Sequence, residues 1–398
     1  MRKIGCIILI FCFMLAAVPV SAASAGPTVA AKSAILIDAA TGTVLSEQNS
    51  HEKLAPASVT KVMTMLLIME AIDTGKIRWL LIMEAIDTGK IRWNDTVTAS
   101  ETAAAKGGSQ IYLKVGETMT VTDMLKSIAV SSANDCACAM AEHIAGSEEA
   151  FVQMMNEKAQ ALGMLDTHFV NCTGLDDDPN AKDHLTSAYD IALMSRELMV
   201  KHPDIKKFTT IWMDTVRNGT FGLSNTNKLV RFYKGATGLK TGFTSAAGYC
   251  LSATAQRDGM ELIAVVLGAE TSQDRFQACK QLLDYGFANY AIVRPRPESA
   301  YSVPVKLGKT GQVAVKSATD PALIVDKAQL SQVDIHVQLA DTVTAPVSKG
   351  QRLGTMTVRV GEQILQQIPM IATESVQKKS FWDVFLDVLR QIAMAKPK

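Results

Sequence analysis

Three short stretches of this chain carry side chains able to do nucleophilic chemistry. The first is Ser58-Val59-Thr60-Lys61. On a helix, residues three apart share a face, so the hydroxyl and the amine meet. A lysine stripped of water can lose its proton and act as base toward a serine hydroxyl. The same spacing recurs at Ser50-His51-Glu52-Lys53 and at Ser375-Val376-Gln377-Lys378. Only Ser58 opens an apolar run, Val62 to Met69, behind a turn containing Pro56. Taken alone, such a pair is more often a helix-capping serine beside a solvated lysine.

The second stretch is Ser132-Ala133-Asn134, a hydroxyl and an amide two residues apart. From a loop between helices, the hydroxyl can relay a proton while the amide holds a substrate amide. The third is Lys240-Thr241-Gly242, after Thr237-Gly238-Leu239 and before Phe243-Thr244. A strand edge bearing Lys and Thr can hold a carboxylate, and glycine lets a ligand approach the backbone. Lys309-Thr310-Gly311 repeats the letters, but in a tight turn with no nucleophile near it in the chain.

Regular elements must position these groups. Ser33 to Asp38 reads as a strand, Ala40-Thr41-Gly42 as a turn, and Thr43 to Ser46 as the returning strand. Helices are expected at 62–69 and at about 122–145, 148–162, 186–200 and 272–290. The stretch 247–269 reads as two strands about Arg257-Asp258-Gly259. A boundary falls at Arg294-Pro295-Arg296-Pro297, and 301–371 reads as short alternating strands. From Ser380 to Ala395, Phe381, Val384, Phe385, Val388, Leu389 and Ile392 line one helical face.

Composition removes several function classes. The 398 residues exceed the size of one compact core, which points to two domains. Forty Lys+Arg against 39 Asp+Glu give no basic field for nucleic acid, and 6% aromatics give few base-stacking platforms. The six histidines form neither HExxH nor a tight cluster with cysteine, so no metal or other cofactor is expected. Arg2 and Lys3, the apolar run Ile4 to Val18 and the small residues Ser21 to Ala25 have the layout of a secretory signal peptide. Of seven cysteines, Cys6 and Cys12 lie in that segment, and the remaining five read as small core residues rather than a disulfide scaffold.

Ser-x-x-Lys together with Lys-Thr-Gly marks β-lactamases and penicillin-binding proteins. The chain resembles the D-alanyl-D-alanine carboxypeptidases, the low-molecular-mass penicillin-binding proteins. The likeness runs from Ala34-Ile35-Leu36-Ile37-Asp38 and Thr41-Gly42 through Pro56-Ala57-Ser58-Val59-Thr60-Lys61. It continues with Gly163-Met164, Thr167-His168-Phe169, Gly174-Leu175-Asp176 and Thr237 to Gly242, into the β-domain and the last helix.

The resemblance implies an α/β fold: a β-lactamase/transpeptidase-like domain, a small all-β sandwich domain and a C-terminal amphipathic helix. The expected divisions are a signal peptide over 1–25, the catalytic domain over 26–293, the β-domain over 298–375 and a membrane-surface helix over 376–398. The implied substrate is the peptidoglycan stem pentapeptide, from which the terminal D-alanine is removed, and β-lactams are implied as covalent inhibitors. Ser58 would be the acylated nucleophile, Lys61 the general base and Ser132 the proton relay. Asn134 would hold the acyl-side amide, while Lys240 and Thr241, with Gly242 beside them, would hold the terminal carboxylate. Backbone N–H groups of Ser58 and Phe243 would form the oxyanion hole, and Arg275 matches a family arginine near the carboxylate. Phe243 departs from relatives, which often carry histidine there. The implied place of action is outside the cell, in cell-wall biogenesis and cell shape, on the outer face of the cytoplasmic membrane or secreted. A β-lactamase is the rival enzyme, lacking a Glu-x-x-Leu-Asn stretch to activate the deacylating water; a penicillin-binding wall or sensor module without turnover is the rival outside enzymes.

Residues 66–79 recur unchanged as 80–93. As one helix, the extra copy would add about 21 Å, for which a packed core has no slot. The expected outcome is a helix end near Asp73-Thr74-Gly75 and a folded-back short helix from Leu80 to Ile86. Leu80, Leu81, Ile82 and Met83 would then compete with Leu66, Leu67, Ile68 and Met69 for one apolar site.

Overall fold

The computed structural model describes residues 26–74, 91–177, 180–295 and 301–394. Strand β1 (Ser33–Asp38) and strand β2 (Val44–Gln48) form the expected hairpin. With β3 (Ala236–Thr244), β4 (Gly248–Arg257) and β5 (Met260–Ala269) they build an antiparallel sheet of order β2-β1-β5-β4-β3. Both faces of this sheet are covered. Ile35, Ile37, Ile263, Val265 and Leu267 pack into the large helical core on one side. Their neighbours Leu36, Leu262, Ala264 and Val266 enter a second core on the other. The strict alternation of a strand thus serves two cores at once, which is why β1 and β5 are apolar almost throughout.

The helical layer contains α1 (Lys61–Thr74), α2 (Val121–Ser131), α3 (Asn134–Ala145), α4 (Glu148–Ala161) and α5 (Ala188–Lys201). Helix α6 (Ser272–Asn289) covers the opposite face, and Thr271 opens it with a reciprocal capping box to Asp274. The expected helix at 122–145 is two helices. Ser132 takes a left-handed conformation, φ 63°, which ends α2 and starts α3 in a new direction. The apolar pattern continues across the break because both helices face the same core, so periodicity alone does not reveal it.

Both copies of the duplication contribute to the core. Leu66, Leu67, Ile68 and Met69 of the first copy fill the core at 0–2% exposure, and α1 is described as far as Thr74. Ile91 and Trp93 of the second copy pack against that core, with Trp93 stacked on Phe208 at 5.7 Å. Among the described residues, the core therefore takes side chains from the front of the first copy and the end of the second. The expected helix Leu80–Ile86 lies outside the described residues, as does the segment 1–25.

Between residues 301 and 372 the chain is built of strands, with one 3-10 stretch at Lys327–Gln332. Six strands, Tyr301–Lys306, Gln312–Ser317, Val333–Leu339, Val343–Thr344, Arg352–Val360 and Gln363–Ala372, surround a separate core that includes Val303, Met356, Val358 and Met370. Val376 belongs to this core, and its N–H donates to Val347. The terminal helix α7 (Phe381–Met394) starts after it, capped by Ser380, whose hydroxyl accepts from the Asp383 N–H. Of the segment 376–398, the first four residues are thus tied to the β-domain.

Candidate active site

Ser58 stands on a strained turn. Ala57, a buried non-glycine residue, has φ 47°, and a single 3-10 turn (Ala57–Thr60) leads from it into α1. One helical turn separates Ser58 from Lys61, and Lys61 Nζ lies 2.9 Å from Ser58 Oγ. The ammonium group also donates to the Thr173 carbonyl at 2.8 Å. Lys61 is wholly buried, and that burial pushes its pKa down to about 7, with Cys172 and Asp135 acting in the opposite sense. A lysine that is half neutral near pH 7 can take the proton of the hydroxyl beside it.

Sequence reasoning assigned no role to the groups that hold this pair. Asn171 Oδ1 accepts from the N–H groups of Thr173 and Gly174 at 3.1 and 2.7 Å, which shapes the loop that presents the Thr173 carbonyl. Gly174 has φ +80°, and a Cβ there would stand 1.9 Å from the Ala57 carbonyl oxygen. The only visible signal was Gly174-Leu175-Asp176 as a local pattern; the pairing of that loop with Lys61 spans more than a hundred residues.

At the α2–α3 break, Ser132 is nearly buried and Asn134 is fully so. Asn134 Nδ2 donates to the Gly107 carbonyl at 2.7 Å, while its Oδ1 is buried with no protein partner. A buried open acceptor is costly unless a ligand N–H fills it. Next to it, the Asp135 carboxylate accepts from Ile111 and Leu113 N–H, fixing the loop that carries Gly107.

Strand β3 forms the opposite wall. A Cβ on Gly242 would stand 3.1 Å from the Ser58 nitrogen, so this strand backs directly onto the nucleophile turn. Lys240 is buried and donates to the Thr241 carbonyl at 2.9 Å. Burial holds it well below the ordinary lysine range, and the charges of Lys61 and Arg275 push in the same direction. Lys240, with Lys61 and Arg275 both acting on it through their charge, makes a site suited to an anion. Thr241 Oγ1 shares a 2.6 Å hydrogen bond with Thr226 Oγ1, and the Thr226 N–H donates to the Val130 carbonyl near the end of α2. Thr226 thus joins the two walls; nothing in its sequence neighbourhood signalled that.

Arg275 reaches the site from beneath. Its Nη1 donates to the Gly242 carbonyl at 2.9 Å, and its guanidinium lies 5.2 Å from the Tyr249 ring centre. Phe243 is 52% exposed, its ring stacked on Tyr249 at 4.3 Å. Ser58, Lys61, Lys240, Thr241, Gly242 and Arg275 are thus linked by bonds, contacts or mutual fields, and Thr226 ties Thr241 to the end of α2, beyond which Ser132 and Asn134 lie. The repeated spacings lie elsewhere. Ser50 Oγ donates to Glu47, Ser375 Oγ accepts from the Lys349 N–H, and Lys309-Thr310-Gly311 turns between two strands of the β-domain.

The family profile described as D-alanyl-D-alanine carboxypeptidase matches residues 20–80 and 78–271. Its break falls inside the duplication. The profile described as penicillin-binding protein 5, C-terminal domain, matches residues 295–378. The chain is similar to D-alanyl-D-alanine carboxypeptidase DacF of Bacillus subtilis, at 43% identity over 88% of this chain and 87% of that protein. It is 33% identical to D-alanyl-D-alanine carboxypeptidase DacC of Escherichia coli, over 90% of this chain and 88% of the other. Among solved structures it is similar to penicillin binding protein 5 from Haemophilus influenzae, with TM-score 0.73 and 28% identity, over 89% of this chain and all of that one. It is also similar to PBP3 from Streptococcus pneumoniae, with TM-score 0.71 and 28% identity, over 88% of this chain and all of the other.

Proposed function

The chain belongs to the D-alanyl-D-alanine carboxypeptidase family of serine peptidases, and from that premise we propose how its own residues carry the reaction. The Ser58 hydroxyl attacks the carbonyl between the last two D-alanines of a peptidoglycan stem peptide. Lys61 takes the hydroxyl proton, and the backbone N–H groups of Ser58 and Phe243 receive the negative charge that develops on the carbonyl oxygen. Ser132 passes a proton to the departing D-alanine amine, leaving an acyl ester on Ser58. Water then cleaves that ester and restores the serine.

Asn134 Oδ1, open and buried, accepts the N–H of the acyl half. Lys240 and Thr241 hold the terminal carboxylate in the positive region that they share with Lys61 and Arg275. β-Lactams enter by the same attack and remain as a penicilloyl ester. The observation that carries this reading is the 2.9 Å contact between Ser58 Oγ and a fully buried lysine whose pKa is near 7.

The protein acts after export, on the outer face of the cytoplasmic membrane. The layout of residues 1–25 supports export. Helix α7 supports attachment: Phe381 and Trp382 are 75% and 68% exposed, and Phe385, Leu386, Val388 and Leu389 are exposed with them. No described helix is long and apolar enough to cross a membrane, so α7 would lie in the interface.

The test is intact-mass detection of a penicilloyl adduct with its site mapped, run beside D-alanine release from a diacyl-D-Ala-D-Ala peptide. The adduct is expected on Ser58, and Ser58→Ala is expected to lose both activities while Ser50→Ala and Ser375→Ala keep them. Labelling that persists in Ser58→Ala overturns the assignment. Rapid turnover of penicillin would support a β-lactamase instead, and trapping without peptide cleavage a module without turnover.

A further inference from the structure

His184 lies 126 residues beyond Ser58 in the chain, yet an unbroken line of hydrogen bonds ends at the turn that carries Ser58. The Val170 N–H donates to His184 Nδ1 at 3.0 Å. With Nδ1 accepting, the proton of the neutral ring sits on Nε2, which faces Thr60 Oγ1 at 2.8 Å. Thr60 Oγ1 in turn donates to the Ala57 carbonyl at 2.8 Å. We propose that His184 is a positioning residue for catalysis: acting through Thr60, it fixes the Ala57 peptide and so the place from which Ser58 attacks. The proposal rests on the reading of Ser58 as nucleophile.

The turn requires such a restraint. Ala57 occupies the left-handed region at φ 47°, a conformation that a residue with a Cβ adopts only when its surroundings hold it there. Gly174 backs its carbonyl from one side, close enough that no side chain fits between them. Thr60 holds the same oxygen by its hydrogen bond, and its own hydroxyl also lies against the Gly174 position. A threonine hydroxyl alone can rotate away; with the His184 N–H aimed at its oxygen, its own proton is left to point at Ala57.

Direct acid–base work by His184 does not fit. The ring is 3% exposed and both its nitrogens are occupied. Burial, then the positive fields of His168 and Lys61, hold it down at about 4, so it stays neutral throughout the range where Lys61 titrates. Its edge-to-face contact with Phe169, 5.7 Å between centres, fixes the plane of the ring and hence the direction of the Nε2 proton.

The test compares His184→Phe, His184→Gln and Thr60→Val by the kinetics of acylation with a fluorescent penicillin, resolved into the limiting rate and the half-saturating concentration. Thermal melts are recorded alongside. His184→Phe keeps ring volume but loses both hydrogen bonds; His184→Gln keeps a donor and an acceptor. The expected result is a limiting rate lowered about tenfold in His184→Phe and in Thr60→Val, with half-saturation changed less than about twofold. Recovery to within about threefold is expected in His184→Gln, and the Phe/Val double variant should be no slower than the slower single one. A folded His184→Phe protein acylated at the parent rate overturns the proposal, as does His184→Gln behaving no better than His184→Phe. Should His184→Phe not fold, Thr60→Val decides at the other end of the same link, and a parent rate there overturns the proposal. A parent adduct mapped away from Ser58 overturns the nucleophile assignment itself, and is told apart by its position.

Discussion

Gly242 and Pro56 are in backbone contact: a Cβ on Gly242 would stand 2.6 Å from the Pro56 carbonyl oxygen and 3.1 Å from the Ser58 nitrogen. Strand β3 and the turn that carries Ser58 are therefore seated on each other at a residue without a side chain. Arg275 holds the far side of the same peptide through the Gly242 carbonyl. Gly242→Ala has to move β3 away from Ser58. Acylation by penicillin is expected to fall about a hundredfold, since a shift of about 1 Å in a reacting pair costs that much. The fold should survive, with a stability loss of about 1–3 kcal/mol from overpacking. An alanine variant acylated at the parent rate would show that the contact is slack.

Lys61 is expected to set the pH dependence of acylation. With its pKa at about 7, the free amine is scarce below that value, and the acylation rate should fall about tenfold per pH unit there. Lys61→Arg should be inactive at every pH, because guanidinium keeps its proton. A stopped-flow rate profile that is flat from pH 5 to 9 would exclude Lys61 as base.

The same lysine has a signature in stability. Folded Lys61 binds its proton more weakly, at about 7, than the unfolded chain does near 10.5. Between those values the unfolded state holds more protons, so the contribution of this group to stability rises with pH. Lys61→Met, which leaves no buried charge, should melt several degrees above the parent at pH 6, and the gap should narrow toward pH 9. A gap that widens with pH would reverse the sign of the argument.

The terminal helix can be removed without opening the β-domain only if the cut respects Val376. That residue is buried in the β-domain core and bridges to Val347, and the Lys379 N–H donates to the Leu307 carbonyl. Ending the chain at Lys379 should give a stable protein that keeps penicillin labelling and no longer sediments with membranes. Membrane association unchanged after that truncation would rule out α7 as the attachment.

Removing fourteen residues from the duplication should help the protein. Because the copies are identical, deleting 80–93 or 75–88 yields the same chain. In it the core sites now filled by Leu66 to Met69 and by Ile91 and Trp93 are filled from one copy. The expected variant melts higher by differential scanning calorimetry and labels with penicillin as before. A lower melting temperature would mean that the extra residues contribute to the fold.

The identity of the chemistry was written in short range. Ser58 and Lys61 are one helical turn apart, and Lys240, Thr241 and Gly242 are consecutive, so spacing alone brought each set together. The apolar runs of β1 and β5 likewise read as strands, while their burial on both faces came from the two cores that pack on them. What spacing could not supply was everything made by residues far apart in the chain. The Thr173 carbonyl on Lys61, the Thr226 hydroxyl on Thr241 and the His184 ring on Thr60 depend on loops brought together by the cores beneath them. The lowered pKa of Lys61 is of the same kind, since it arises from burial, and burial belongs to the packed molecule rather than to any segment. The break at Ser132 was legible in the polar Ser132-Ala133-Asn134 stretch but not in the periodicity, because an apolar face shared by two helices has the same period as one helix, and the left-handed backbone at that residue separates them.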